Sequence, residues 1–407
     1  MAELAAADAQ LFWLSSVLPN DQFLVYVFDG PVFDGPVFGC RVDPGALVGV
    51  RRRAQNCAEF RLRVADDRRW RYPRWVPAEV TDEQFVLHDE EIVTAPDQGP
   101  AAPVDFGAIA RLGRLDATRM TWRVHLFAPG TVVVQMSHAL GDGNRCSALA
   151  ALLLGRRVSV PPVAAPRRGN PLLLGVAAAR AHRDLPPSPP PRPVLSVNAA
   201  PAGEPVLRSL VIPRDRLRTR TVTVAALAAI GEALGGYLDG RGEDISALAA
   251  EVPVAGPPPA QSRNNFRNVS IGLYPEQARG ERARRIAADL AAARHRGEHP
   301  ATRSAAAAFA ATPAVLLRWG MGKFDPAVRS ATVTGNTVVS SVNRGPADLS
   351  FGGRPVRFSA GFPALSPMQS LTHGVHGLGD TVAISVHADS VTVDVDDYLD
   401  RLVFALR

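Results

Sequence analysis

Runs of apolar, β-branched and aromatic residues predict strands in both halves of the chain. Segments of this kind, bounded by turn residues, are typical of strands with at least one buried face. They occur at residues 22–28, 131–137, 207–215, 249–256, 268–275, 335–346, 381–388 and 390–395. Most of them are too short for a helix, so the pattern predicts a β-rich framework.

Apolar positions spaced three or four residues apart predict helices between these strands. Such spacing places one apolar stripe along a helix. The predicted helices are 45–56, 144–154, 222–238, 281–296 and 397–407, with a short one at LLLGVAAARAHR in the proline-rich region. Alternation of helices and strands predicts an α/β fold with two lobes of similar size.

Prolines are concentrated between residues 159 and 205. At this density they favour extended chain and exclude a long continuous helix. The segment is therefore predicted to be a crossover between an N-terminal lobe, 1–158, and a C-terminal lobe, 206–407.

Composition indicates a soluble globular protein. The chain has 407 residues, is 46% hydrophobic and carries a net charge of +6; only one of its 45 basic residues is a lysine, Lys323. An arginine-rich surface suits phosphates or anionic headgroups, but arginines spread this evenly also reflect overall base composition. No aromatic residues interleave with them in the manner of a nucleic-acid site.

Cysteine use and apolar segments suggest a cytoplasmic location. Cys40, Cys57 and Cys146 share no metal-ligand spacing and would leave one thiol unpaired in any disulfide scheme, which fits a reducing compartment. The first 14 residues lack the pattern of a signal peptide. Residues 304–320 contain Pro313 and are rich in alanine, so we expect a core helix and no transmembrane segment. Peripheral contact with the inner membrane stays compatible with this composition.

The most informative segment is HALGDG at residues 138–143. His138 lies where the strand 131–137 ends, and loops at such positions often carry function. Neutral imidazole is suited to accept a proton near physiological pH. Asp142 can fix the loop by a hydrogen bond or an ion pair, and Gly143 permits a backbone angle or a close approach that a side chain would forbid. An ordinary turn with no catalytic role fits the same spacing.

The surrounding residues resemble a known family. HALGDG matches the HxxxDG motif of the coenzyme A-dependent acyltransferase superfamily, which includes chloramphenicol acetyltransferase and condensation domains. More specifically, the chain resembles the bacterial wax ester synthase/diacylglycerol acyltransferase family, in the same order along the sequence. The matching segments are LPNDQFLVYVF (18–28), AEFRLRV (58–64), RYPRWV (71–76), LDATRMTWRVHLF (115–127), EVPVAG (251–256), NVSIGLYP (268–275) and NTVVSSVNRGP (336–346).

The resemblance implies a fold of two chloramphenicol acetyltransferase-like lobes with an active-site tunnel between them. His138 would remove the proton of an acceptor hydroxyl as it attacks a thioester, and would then protonate the leaving thiolate. Asp142 would be structural and would pair with an arginine. Arg263, Arg267 and Arg344 are the candidates for that partner.

The resemblance also suggests substrate-binding residues. Asn268 is the candidate donor to the oxyanion, because the family has an asparagine in this strand; Ser270 is a second candidate. A role as a cap or backbone partner fits Asn268 equally well. Ser137 replaces the first of two adjacent histidines in the family, which alters the surroundings of His138. The segment 341–346 also departs from the family's Asn-Val-Pro-Gly-Pro-like element.

The predicted function is O-acylation of a fatty alcohol, a diacylglycerol or a specialised metabolite, with acyl-CoA as co-substrate and no other cofactor. An acyl carrier protein is an alternative donor. The rival hypothesis is a non-catalytic descendant that binds an acyl ligand or a partner.

Other candidate sites are weaker. His373, His376 and His387 could form a metal site, but they lack helical spacing and an acidic or thiol partner. Cys146 follows Asp142 on an apolar helix, where a cysteine is typically buried packing. Two arginine clusters could hold CoA phosphates or could be solvated faces; they are Arg51, Arg52 and Arg53, and Arg68, Arg69 and Arg71.

Overall fold

A computed structural model describes most of the chain. It covers residues 2–29, 33–34, 41–42, 44–92, 102–164, 169–217 and 221–407. The segment FDGPVFDGPVF at residues 28–38 contains Asp-Gly-Pro twice, and most of it lies outside the described residues, as does Cys40.

The described residues form both strands and helices along their whole length. The strands in the first half are β1 (Gln22–Phe28), β2 (Phe33–Asp34), β3 (Arg41–Val42), β4 (Leu62–Ala65), β5 (Arg74–Pro77), β6 (Phe85–Glu91), β7 (Val104–Asp105), β8 (Trp122–Ala128), β9 (Thr131–Met136) and β10 (Arg192–Pro193). Those in the second half are β11 (Pro205–Pro213), β12 (Ala249–Ala255), β13 (Phe266–Gly272), β14 (Thr332–Val333), β15 (Thr337–Asn343), β16 (Ser350–Phe351), β17 (Arg354–Gly361), β18 (Leu371–Leu378) and β19 (Thr381–Asp389). The helices are α1 (Ala6–Leu14), α2 (Pro44–Asn56), α3 (Gly107–Ala110), α4 (Gly143–Leu153), α5 (Pro171–Ala181), α6 (Val222–Asp239), α7 (Arg279–Glu298), α8 (Pro300–Ala310), α9 (Ala314–Met321) and α10 (Val395–Ala405).

Two large mixed sheets organise the molecule. The first has the strand order β16-β17-β1-β9-β8-β6, and the second has the order β13-β12-β15-β18-β19-β11-β7. In the first sheet only β6 and β8 are parallel, whereas in the second β12, β15 and β18 are parallel. Each sheet has its own apolar core, so the predicted two-lobed α/β fold is confirmed.

The two lobes exchange strands. β16 and β17 come from the second half of the sequence, yet β17 pairs along β1 in the first sheet. Conversely, β7 from the first half pairs with β11 at the edge of the second sheet. The predicted lobe boundaries therefore need two corrections. Residues 350–361 belong to the sheet of the N-terminal lobe and not to that of 206–407, and residues 104–105 belong to the sheet of the C-terminal lobe and not to that of 1–158. A third apolar cluster, which includes Val25, Phe106 and Phe358, packs where the lobes meet.

The proline-rich segment connects the lobes with little regular structure of its own. Its described part contains α5, at the predicted position of a short helix, and the two residues of β10, which pair with β14. Asn170 caps α5 by accepting hydrogen bonds from the N–H groups of Leu172 and Leu173.

Two predicted elements were wrong. Residues 304–320 do not form a core helix: α8 and α9 divide at Pro313 and bury only Ala301 and Ala314. Residues 390–395 do not form a strand, because Asp389 accepts from the backbone N–H and hydroxyl of Thr392 and fixes a turn there.

One described helix, α6, is long and apolar enough to cross a membrane by length and composition alone. However, 72% of it is buried inside the protein, where it packs against α7 and α10 in the core of the second lobe. Its apolar character is therefore explained by the core of this lobe.

Candidate active site

The HALGDG loop begins at the end of β9, a fully buried strand between β1 and β8. The antiparallel register pairs Gln22 with Met136, so the loop emerges beside the residues that precede β1. His138–Leu140 forms a single 3₁₀ turn, and Gly141 follows with φ +150° and ψ 180°. Only glycine adopts this conformation readily, and a Cβ at Gly141 would also meet the Arg145 side chain at 2.4 Å.

His138 is oriented by Asn264, a residue that no sequence pattern singled out. The Nδ1 atom of His138 lies 2.8 Å from Oδ1 of Asn264. The Asn264 amide nitrogen donates to a carboxylate oxygen of Asp8 at 2.9 Å and to the carbonyl oxygen of His138 at 2.8 Å. Because both acceptors fix which end of the amide is nitrogen, Oδ1 must face the imidazole as an acceptor. His138 is therefore protonated on Nδ1, and its Nε2 carries a free lone pair.

Asp8 on α1 holds the loop that carries Asn264. Its carboxylate also accepts the backbone N–H groups of Arg263 and Asn264, at 3.0 and 2.9 Å. Asp8 is buried, and this burial raises the pKa of its carboxyl, although the hydrogen bonds oppose the shift. Asp8, Asn264 and His138 thus form one hydrogen-bonded series.

Burial also lowers the pKa of His138 below its ordinary value, while the hydrogen bond to Asn264 opposes this shift. The imidazole is consequently neutral at pH 7 and can accept a proton. The Phe266 ring lies beside it, with 5.9 Å between ring centroids.

Asp142 connects two loops and does not form the ion pair implied by the resemblance. One carboxylate oxygen accepts the N–H of Arg145 at 3.0 Å and caps α4, and the other accepts the N–H of Asn265 at 3.0 Å. The N–H of Asp142 in turn donates to the carbonyl oxygen of Arg263. No arginine side chain in the described part of the chain pairs with Asp142.

The three candidate arginines have other partners. The Arg263 guanidinium pairs with Glu59 and lies over the Trp75 ring. Arg267 donates to the carbonyl oxygen of Ala293, and Arg344 donates to the Ser359 hydroxyl at 3.0 Å. The expected aspartate–arginine pair is therefore corrected to a pair of backbone hydrogen bonds between the loops.

Gly143 begins α4 where this helix meets the second sheet. A Cβ at Gly143 would lie 3.2 Å from a methyl group of Val342 on β15. A close approach of this kind is one of the two roles that the sequence suggested for the glycine.

A cavity of about 310 Å³ opens between the lobes beside His138, and we call it the inter-lobe cavity. Its lining includes His138, Asp142, Gly143, Phe266, Asn268 and Arg344. Residues from both sheets thus surround the imidazole, in a volume at the lower end of the range for small-molecule sites.

The three residues predicted to bind substrate do not lie together in the structure. Asn268 lines the inter-lobe cavity and donates to Glu251. Ser270 lies further along β13 and accepts from Arg192 Nε at 3.1 Å. Ser137 is buried and accepts from the N–H of Ala139. Only Asn268 of the three lines the cavity.

The three histidines considered as a metal site are used separately. His373 contacts the hydroxyls of Thr337 and Tyr398, at 2.9 and 2.6 Å. His387 Nδ1 donates to the carbonyl oxygen of Pro363, and His376 lines the inter-lobe cavity. No group of metal-ligand residues occurs among the described residues.

Neither Cys146 nor the arginine clusters form part of the site. Cys146 is buried and its thiol pKa is raised to about 12 by burial, so it is not a nucleophile at pH 7. Arg51 pairs with Asp82, and Arg53 donates to the carbonyl oxygen of Leu153 at 2.6 Å. Arg68, Arg69 and Arg71 are exposed.

Comparison with solved structures identifies relatives of this fold. The wax ester synthase/diacylglycerol acyltransferase from Marinobacter aquaeolei VT8 superposes with a TM-score of 0.59 at 19% identity, over 100% of this chain and 98% of that one. The starter condensation domain of rhizomide synthetase, in a mutant complex with C8-CoA and Leu-SNAC, gives 0.58 at 14% identity, over 99% of this chain and 93% of that one. No curated protein matches the chain at a significant level.

A family model supplies the more specific result. The WS/DGAT C-terminal domain matches residues 268–407, which include β13, β15 and the strands β16 to β19. This match covers most of the second sheet, and the HALGDG loop at residues 138–143 lies outside it. Residues 268–407 thus match the WS/DGAT C-terminal domain, and the whole chain shares its two-lobed fold with the wax ester synthase/diacylglycerol acyltransferase and the condensation domain.

Proposed function

We propose that this protein transfers an acyl group from acyl-CoA to a hydroxyl acceptor, with His138 as the general base. The observation that carries the proposal is the orientation of the Asn264 amide. Its nitrogen donates two hydrogen bonds, so its oxygen accepts from Nδ1 of His138, and Nε2 of the same ring is left as the base. The lowered pKa of His138 supports it, because a neutral imidazole is available at pH 7.

In the proposed reaction, Nε2 of His138 removes the acceptor's hydroxyl proton while the oxygen attacks the thioester carbonyl carbon. The carbonyl π electrons move onto oxygen and give a tetrahedral oxyanion. When the carbonyl re-forms, the carbon–sulfur bond breaks, and the imidazolium returns the proton to the thiolate. The products are an ester and free CoA thiol. The Nδ1 hydrogen bond to Asn264 keeps the ring in place through both proton transfers.

Acyl-CoA is the proposed donor, and a fatty alcohol, a diacylglycerol or a specialised metabolite is the proposed acceptor. The family match and the related condensation domain's complex with C8-CoA support a CoA thioester. A carrier-protein thioester is the alternative donor.

The direct test is release of free thiol from acyl-CoAs of several chain lengths, with and without a mixture of alcohols. We expect release that depends on the acceptor and is accompanied by ester formation. If no acyl-CoA releases thiol but an acylated carrier protein is turned over, the donor is the carrier-protein thioester and not acyl-CoA. Absence with both donors, together with acyl-ligand binding, would favour the non-catalytic hypothesis.

Asn264→Ala should lower turnover at neutral pH by about tenfold or more, because the imidazole loses the acceptor that orients its ring. The Asn264 hydrogen bond raises the pKa of His138, so its removal should lower that pKa further. Activity requires neutral His138 and is lost as pH falls through its pKa. The acid limb of kcat/KM against pH should therefore move to lower pH in the variant. A limb that stays in place would contradict the proposed role of Asn264.

Asn268→Ala tests the proposed oxyanion donor, since Asn268 lines the inter-lobe cavity. Loss of such a donor typically reduces kcat by about 10²–10³-fold. Ser270→Ala is the matched control on the same strand, because Ser270 bonds to Arg192 and does not line the cavity. We expect the control to retain turnover, measured as initial thiol release. Equal effects of the two substitutions would argue against a donor role for Asn268.

A further inference from the structure

Arg344 is a buried cation without an anionic partner among the described residues. It is 6% exposed and lies two residues beyond Val342, where β15 meets the inter-lobe cavity. Its Nη1 donates to the Ser359 hydroxyl at 3.0 Å, and that hydroxyl donates onward to the carbonyl oxygen of Val25. The guanidinium lies over the Tyr26 ring, 5.4 Å from its centroid. No carboxylate of the described residues lies within 4 Å of the guanidinium.

The guanidinium retains unused donors. Nε of Arg344 is enclosed by protein atoms and has no hydrogen-bond partner within the described chain, and none of the described hydrogen bonds uses Nη2. The Tyr26 side chain also interacts with the guanidinium. Nη2 borders the position of Gly361 at the cavity, so it is the donor that a carboxylate of a ligand can reach. A buried charge with unmet donors is strongly unfavourable unless a ligand completes it.

His376 lies beside the guanidinium of Arg344 and also has a nitrogen without a hydrogen-bond partner. It is 5% exposed, and its Nδ1 has no partner among the described residues. Burial and the charge of Arg344 hold the pKa of His376 well below its ordinary range, so the ring is neutral. A neutral imidazole still offers one N–H donor.

Gly361 leaves room where the two side chains converge. A Cβ at this position would lie 2.8 Å from Nη2 of Arg344 and 3.1 Å from Nε2 of His376. Gly361, Arg344 and His376 all line the same cavity as His138. The glycine therefore keeps open a small space that is bordered by a guanidinium and an imidazole.

The acidic residues that line the cavity do not pair with Arg344. Arg344 is the only arginine or lysine among the described residues of the lining. The acidic residues of the lining are bonded elsewhere: Asp21 accepts from Leu115 and Gln135, Asp142 accepts from two backbone N–H groups, and Glu251 accepts from Asn268. None of them neutralises Arg344.

We propose that Arg344 and His376 bind a carboxylate carried by the small substrate that reaches His138. The guanidinium Nη2 and the imidazole can each donate a hydrogen bond to one oxygen of a carboxylate, and phosphate, which arginine also binds, is the competing anion in the test below. The carboxylate belongs either to a hydroxy-acid acceptor or to the far end of a dicarboxylic acyl group, since both would place an anion and a reacting centre in one cavity. This inference rests on the proposed acyl transfer for its substrate, whereas binding of the anion can be measured without turnover.

The binding experiment uses isothermal titration of the full chain with 3-hydroxybutyrate, its methyl ester and inorganic phosphate. We expect the acid to bind at least tenfold more tightly than the ester, and Arg344→Met to abolish this preference. Equal binding of acid and ester by the wild type, or tighter binding of phosphate than of 3-hydroxybutyrate, would overturn the assignment. If 3-hydroxybutyrate binds too weakly to titrate, its binding is measured by the NMR line broadening of the acid, and succinate is added to displace it. Absence of broadening that depends on Arg344 would also overturn the assignment.

The turnover experiment separates the two sources of the carboxylate. One arm compares 3-hydroxybutyrate with its methyl ester as acceptor, and the other compares succinyl-CoA with butyryl-CoA as donor. In each arm, the substrate with a free carboxylate is compared with the one that lacks it. A tenfold or larger preference for the carboxylate-bearing substrate in one arm, lost in Arg344→Met, shows that this substrate carries the carboxylate. Turnover of neutral substrates with no preference in either arm would overturn the inference and leave acyl transfer intact. Arg344-dependent binding without any turnover would instead support the inference and contradict the proposed function.

Thermal stability distinguishes ligand binding from a structural role of Arg344. Without ligand, Arg344→Met should melt at the same temperature as wild type or higher, because it removes an unpaired buried charge. Arg282→Met is the matched control: Arg282 is 5% exposed, but it pairs with Glu232 and donates to several carbonyl oxygens. The control should melt several degrees lower. A comparable loss in Arg344→Met would show that the arginine is structural and would contradict the proposal.

Discussion

His138→Ala should reduce acceptor-dependent thiol release by about 10²–10⁴-fold, the usual contribution of a positioned general base. The fold should persist, because His138 lies at the surface of the inter-lobe cavity and its side chain is hydrogen-bonded to Asn264 alone among the described residues. Circular dichroism and the melting temperature of the variant verify the fold, and thiol release with and without alcohol measures the activity.

His295→Ala is the control for this substitution. His295 lies on the exposed side of α7 and does not line the cavity, so its removal should leave thiol release unchanged. Turnover by His138→Ala equal to that of the wild type would rule out His138 as the base.

Asp142→Ala should lower both the stability and the activity of the protein. It removes the N-terminal cap of α4 and leaves the N–H of Asn265 without its acceptor. Loss of a cap costs about 1 kcal/mol and an unpaired buried donor costs about 1–3 kcal/mol, so we expect a decrease of about 2–4 kcal/mol in the free energy of unfolding. Activity should fall because the same two loops hold His138 and Asn264. Asp142→Asn keeps one acceptor oxygen and should lose about half as much.

Chemical denaturation and thiol release on the same preparations measure these two effects. Asp394→Ala is a suitable control, since Asp394 caps α10 through a hydrogen bond to the N–H of Asp397, far from the cavity. This control should lose about 1 kcal/mol of stability and keep its activity. Unchanged stability with lost activity in Asp142→Ala would instead indicate a direct catalytic role.

Local patterns were sufficient to predict the elements that carry the HALGDG loop. Branched residues at 131–137 and the apolar spacing at 144–154 correspond to β9 and α4 within one residue at each end. These elements are determined by nearby residues and by burial on a defined face, which is what periodicity reports. The two-lobed fold was also correct, and the match of residues 268–407 to the WS/DGAT C-terminal domain agrees with the resemblance.

Contacts between distant segments were not predictable. Asn264 is 126 residues from His138, and Asp8 is 256 residues from Asn264. No local pattern in the sequence distinguishes Asn264 or Asp8 from other polar residues of the chain. The arginine partner of Asp142 was wrong for the same reason: Arg263 reaches the loop, but it does so through its carbonyl oxygen.

Strands buried on both faces were also difficult to recognise. β18 spans LTHGVHGL, in which glycines and histidines replace the usual alternation, and seven of its eight residues are buried. In parallel regions covered on both sides, alternation of polar and apolar residues disappears. β17 begins at a charged residue and a proline, and it was missed in the same way.

The exchange of strands between the lobes constrains the order in which the chain can fold. β1 is complete at Phe28, but one of its edges stays unpaired until β17 arrives, more than 300 residues later. During synthesis, the first sheet therefore presents an open apolar edge for most of the time that the chain takes to emerge. Unpaired edges promote association with other chains, and contacts this distant in sequence form slowly. The same exchange that unites the lobes around His138 makes the nascent protein dependent on protection of that edge.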